Sequence, residues 1–135
     1  MSTISEEEME SIDKAEFLAC TLIRGAILQY MSRGGESECL LREEIITPYE
    51  DGEMESWGLG QGQWVVPHAY LAVATCYVKR ENYEEAMSLL KKAAAVRGEF
   101  PFAQGLAFNI KNTRDYVDRK LGEEKQEFVD ADSGS

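Results

Sequence analysis

Between Tyr70 and Ala93 bulky and small residues follow one another at helical intervals: Tyr70, then Val73 and Ala74, then Tyr77, and after a short polar break Tyr83, Ala86, Leu90 and Ala93. Steps of three and four residues place such side chains on one face of a helix. Alanines on that face let two backbones approach closely, and tyrosine rings fill the gaps that remain. The break at Glu81 and Asn82 leaves room only for a direct return of the chain. The segment therefore predicts two antiparallel helices, over Val65 to Arg80 and Tyr83 to Val96. Pro67 falls in the first turn of the former, where its missing N–H leaves no helical bond unmade.

The same periodicity extends both ways. From Ile12 to Met31 the residues Phe17, Leu18, Leu22, Ile23, Ala26, Ile27 and Tyr30 predict a long first helix with one buried stripe. Gly34 and Gly35 are expected to break it. A shorter helix follows from Glu36 to Ile46, ending near Thr47 because Pro48 lacks a donor and disfavours helical geometry before it. Residues 49–63, rich in glycine with Trp57 and Leu59 as large apolar side chains, read as a long loop, either an insertion or a flap. Pro101 opens a fifth helix through Phe102, Leu106, Ile110, Tyr116 and Val117, which Gly122 is expected to close after Leu121. No segment alternates apolar and polar residues long enough for a sheet. The fold class expected is all-α, with antiparallel helical hairpins stacked as a short array of about five helices. Residues 1–11 form an acidic flexible N-terminus, 12–121 the helical domain and 122–135 an acidic disordered tail in this reading.

With 135 residues the chain suits one domain. Hydrophobic residues make up 44%, yet no apolar run reaches the roughly 18 residues of a membrane span. Arg24 and Gln29 interrupt the best candidate. The start of the chain shows neither the basic residues nor the apolar core of a secretory signal. Three cysteines, Cys20, Cys39 and Cys76, make no CxxC pair, and an odd number leaves one unpaired in any disulfide scheme. They are expected to be small buried packing residues in a reducing, cytoplasmic setting.

The net charge is −11, of which residues 1–13 contribute −5 and the tail from Glu123 contributes −4. An acidic body without a basic stripe disfavours nucleic acid.

Repeat architectures announce themselves by self-similarity. The intervals of Tyr70 to Arg97 resemble a tetratricopeptide repeat. The first helix pair repeats them loosely, since Tyr30 and Tyr77 stand 47 residues apart, as do Cys39 and Ala86. Over Ala15 to Val117, the double-glycine turn, Val66-Pro67-His68-Ala69, the run NYEEAMSLLKKA from Asn82 and the pair Phe100 and Phe102 resemble the C-terminal region of the inclusion-body clearance and tetratricopeptide-repeat-protein-39 family. That resemblance implies an intracellular, non-enzymatic repeat protein.

Catalysis by a nucleophile needs a base and an orienting group within reach. His68 is the one histidine, and adjacent carboxylates such as Glu43 and Glu44 point apart on a helix. GLGQGQ from Gly58 lacks the Lys and Ser/Thr of a phosphate loop. Neither a catalytic site, a metal nor a cofactor is expected. In the repeat reading the first helix of each pair lines a concave groove, through His68, Leu71, Thr75 and Lys79 on one helix, Arg24, Leu28 and Met31 on the first and Asn109 and Asn112 on the last. Arg24 and Lys79 would hold a carboxylate and the asparagines a peptide backbone. The expected function is a scaffold or adaptor holding a peptide or partner protein. The alternative is a permanent subunit of a homo- or hetero-oligomer that buries Phe100, Phe102, Phe108 and Tyr116.

Overall fold

The computed structural model describes residues 6–56, 64–96 and 103–133. The fold is all-α, with no strand among the described residues. Its helices are α1 (Glu6–Tyr30), α2 (Gly34–Leu41), α3 (Thr47–Glu50), α4 (Glu53–Ser56), α5 (Val65–Lys79), α6 (Tyr83–Ala95) and α7 (Ala103–Ser133), with one π-helical turn, Arg42–Ile46, joining α2 to α3.

The chain leaves α1 two residues before the expected glycines. Arg33 N–H donates to Leu28 O at 2.8 Å and Ser32 N–H to Gln29 O at 3.0 Å, with Ser32 in the left-handed region at φ 63°. This crossed pair of bonds is a Schellman cap. Gly34 and Gly35 fall instead into the first turn of α2. The same cap ends α5: Asn82 N–H donates to Tyr77 O at 2.9 Å and Glu81 N–H to Val78 O at 3.0 Å, with Glu81 at φ 61°. A side chain in that conformation costs about 1–2 kcal/mol. Ser32→Gly and Glu81→Gly are each expected to raise unfolding stability in urea by about 0.5–1 kcal/mol, because the gain outweighs the glycine's extra freedom when unfolded.

Pro48 does not end the second helix. Thr47 N–H reaches back five residues to Arg42 O, which widens the coil by one residue. That widening takes up the missing donor and the ring clash a proline brings. Pro48 then sits in the first turn of α3, and Ile45, Ile46 and Pro48 are buried. Gly52, at φ 78°, turns the chain into α4, where Met54 is fully buried. The loop expected over 49–63 is thus helical in part, and Trp57 and Leu59 lie outside the described residues.

α5 and α6 pack against each other more extensively than any other pair, and α5 also packs against α1 and α2, while α7 packs against α6 and less extensively α5. Ala74, Ala86, Leu90, Ala93 and the ring of Tyr70 are buried between these helices. The Tyr70 hydroxyl donates to Glu50 Oε1 at 2.8 Å. Burial first, and that carboxylate second, push its pKa well above the ordinary tyrosine value. Glu50 also lies 3.5 Å from Lys92 Nζ, tying α3 to α6.

The first pair is built the same way with smaller residues. Gly25 stands seven residues before the left-handed Ser32 and Ser37 five after it, as Ala74 and Ala86 stand about Glu81. The two pairs are therefore in register at an offset of 49 residues, not 47. Leu41 and Leu90 correspond at that offset, and both are fully buried.

Three further expectations are corrected. Of the apolar residues on α1, Leu18 is buried and Leu22 partly so, whereas Phe17, Ile23, Ile27 and Tyr30 face outward. The reason is that α2 and α5 cover one side of α1 only. Cys76 is buried, but Cys20 and Cys39 are exposed. Gly122, expected to close the last helix, lies within α7, where a glycine costs about 1 kcal/mol against alanine that Leu106, Ile110 and Val117, all buried, offset.

Candidate functional site

His68, Leu71, Thr75 and Lys79 follow one another by three or four residues along α5 and form one stripe. His68 is half-buried, its ring edge-on to Trp64 with centroids 5.6 Å apart. Burial holds its pKa below the usual histidine value, so the ring is neutral at pH 7. Leu71 is partly buried against the core. The Thr75 hydroxyl donates to Leu71 O at 2.9 Å, which leaves its oxygen free to accept from a ligand. Lys79 is exposed at the C-terminal end of the helix.

The 49-residue offset pairs these positions with Ala19, Leu22, Ala26 and Tyr30 on α1. Tyr30 is 91% exposed, the most open large apolar side chain described. Arg24 and Leu28, chosen from a 47-residue offset, correspond instead to Val73 and Tyr77, which lie off the α5 stripe. Arg24 is exposed and Leu28 half-buried. Asn109 and Asn112 are exposed on α7, and Asn109 O accepts the Thr113 hydroxyl at 2.8 Å. The structure thus assembles the α5 part of the expected set, and among the described residues no hydrogen bond or ion pair joins Arg24 or the asparagines to it.

At the Lys79 end the stripe opens into a hollow of about 270 Å³ lined by Gln29, Ser32, Gly34, Cys76, Lys79 and Arg80. The Gln29 amide crosses from α1 to α5, donating to Ala72 O at 2.6 Å and to Cys76 Sγ at 3.0 Å. Burial pushes the Cys76 thiol up, against the opposing pull of that amide, so it stays protonated at neutral pH.

No family model, curated protein or solved structure matches this chain. The site therefore stands on its own geometry.

One cluster next to the hollow escapes sequence reasoning. Glu38 on α2 accepts from the Tyr77 hydroxyl at 2.6 Å, from Arg80 Nη2 at 2.7 Å and from Arg42 Nε at 3.1 Å. Arg42 Nη2 also donates to the Tyr77 oxygen at 2.9 Å. Both guanidiniums lie over the Tyr77 ring, 5.7 and 5.3 Å from its centroid. Burial opposes the charge of Glu38, but the three donors outweigh it and hold the carboxyl below the usual range. At the 49-residue offset, which the left-handed Ser32 reveals and the residue pattern does not, Glu38 occupies the place of buried Met87.

Proposed function

We propose that this chain is a tetratricopeptide-like scaffold or adaptor that holds a peptide or partner protein and catalyses no reaction. The observation that carries this reading is the paired construction of α1–α2 and α5–α6. Both pairs turn through the same cap at Ser32 and Glu81 and cross at small residues placed alike, Gly25 with Ser37 and Ala74 with Ala86. Repeat modules of this kind bind along the exposed face of their first helices. Here that face is the α5 stripe continued by Tyr30, with Lys79 and Arg80 at one end.

A carboxylate-bearing peptide fits that chemistry. Its acid meets Lys79, its backbone the Thr75 oxygen, and an apolar side chain lies between His68 and Leu71. Free thiols at Cys20 and Cys39 suit a reducing, cytoplasmic setting. Affinity purification of the whole chain from its native cell tests the reading. Tyr30→Ala combined with Lys79→Glu is expected to reduce partner capture about tenfold or more at unchanged helicity by circular dichroism. Lys91→Glu on α6 is expected to leave capture as it was. Equal capture by the double variant and the unmodified chain would remove this face from the function.

A second reading, a permanent subunit, draws on Phe108, 64% exposed on α7. A chain that is insoluble unless a partner is coexpressed favours that alternative.

A further inference from the structure

The outward side of α1 is apolar, and among the described residues nothing covers it. At about 100° per residue, Met9, Cys20, Ile27 and Met31 fall within about 40° of one line along the helix, opposite Leu18 and Gln29, which face the core. Phe17 and Ile23 flank that line on its two sides. All six are exposed, with Ile23 at 59% and Ile27 at 52%. A stripe with this spacing is the seam of a helix that packs against another helix.

Charge along the same helix says which helix that is. Glu6, Asp13 and Glu16 are exposed in its first half, whereas residues 17–35 contain no acid and carry Arg24 and Arg33. Arg33 is held within the chain by Glu36, but no ion pair within the chain engages Glu16 or Arg24 among the described residues. α1 is thus acidic at one end and basic at the other, so it complements itself when reversed. With Cys20 on a two-fold axis, antiparallel pairing brings Glu16 across the seam to the level of the second copy's Arg24 and sets Met9 against its Met31, since each pair of numbers sums to 40. Parallel pairing would put Glu16 on Glu16 and Arg24 on Arg24.

We propose that the chain forms a homodimer through antiparallel packing of α1 against α1 of a second copy, with a two-fold axis at Cys20. Packed helix axes lie about 8–10 Å apart and Cα atoms sit about 2.3 Å from each axis, so the two Cys20 Cα atoms approach to about 5 Å, within the span of a disulfide. The seam does not include the α5 stripe, but Tyr30 borders it, so Lys79→Glu alone, with the dimer mass checked by light scattering, separates failure of the peptide-binding reading from failure of the dimer.

Light scattering on the full chain at about 50 µM is expected to give twice the chain mass, and a monomer there overturns the proposal. Diamide provides a geometric test. Two Cys20 thiols give up two protons and two electrons to it as the sulfur–sulfur bond forms, and the diamide becomes the hydrazine. The covalent dimer is expected to vanish in Cys20→Ser and persist in Cys39→Ser, although Cys39 is also exposed. A cross-link running through Cys39 overturns the arrangement. Ile27→Glu is expected to yield a folded monomer, since that side chain makes no contribution to the core, and a dimer that survives it lies on another face. Glu16→Arg weakens the dimer about tenfold, because two symmetric pairs turn from attractive to repulsive. Glu16→Arg with Arg24→Glu restores it, and failure of that rescue excludes the antiparallel register.

Discussion

Replacing Gly25 with valine is expected to destabilise the protein by about 3 kcal/mol and to concentrate the damage in α1 and α2. A Cβ at this position would stand 2.8 Å from Leu41 Cδ2 and 2.9 Å from its Cγ. Leu41 has no exposed surface and therefore no open side into which to swing. The crowding has a local cause. The Ser37 hydroxyl donates to Gly25 O at 2.7 Å and draws α2 onto α1 at that point. Even alanine, which gains about 1 kcal/mol of helix propensity over glycine, should come out destabilising, because overpacking a filled core costs about 1–3 kcal/mol. Urea unfolding followed by circular dichroism gives the magnitude. Amide hydrogen exchange gives the location, with protection lost in α1 and α2 before α6. Uniform loss across all helices would show that the first pair does not respond as a local unit.

Glu38→Ala is expected to cost about 2 kcal/mol at pH 7, with Glu38→Gln costing less. Alanine leaves the Tyr77 hydroxyl and two guanidiniums without their shared acceptor, while glutamine keeps an oxygen for one of them. The side chain of Glu38 is only 15% exposed, but Arg42 and Arg80 are open enough to recover water, which keeps the penalty below that of a fully buried pair. The pH dependence follows from the depressed carboxyl. Above the ordinary glutamate pKa of about 4.3 its stabilisation is fully present, and it is lost as pH falls through the lower folded value. The stability difference between the unmodified chain and Glu38→Gln should stay level above about pH 5 and shrink in more acidic solution. A difference that grows on acidification would reverse the assigned sign.

α5 and α6 were legible because local and tertiary signals agree there. Pro67 falls in the first turn, Glu81 and Asn82 are polar, and alanines and tyrosines alternate on one face. The end of α1 was misread because a double glycine outweighs a serine as a helix terminator on propensity alone. Ser32 takes the left-handed position all the same, since the crossed bonds from Arg33 and Ser32 are made by backbone atoms that side-chain identity does not reveal. That two-residue difference is what shifts the register from 47 to 49 and moves the α1 counterparts of Leu71 and Thr75 from Arg24 and Leu28 to Leu22 and Ala26. The division of α1 into two apolar faces was equally hidden. Periodicity says that Leu18 and Ile27 lie on a helix, but which of them meets α5 depends on where neighbouring helices sit. Glu38 shows the opposite limit, since a carboxylate on a helix reads as solvated until two arginines and a tyrosine from elsewhere are placed around it.

The widened turn at Arg42–Ile46 sets the phase of everything between it and α4. One surplus residue in a coil advances the following side chains by roughly 100°, and in that rotated setting Pro48 and Met54 point inward. Loss or gain of a single amino acid there would turn those two outward together, so this stretch tolerates substitutions more readily than any change of length.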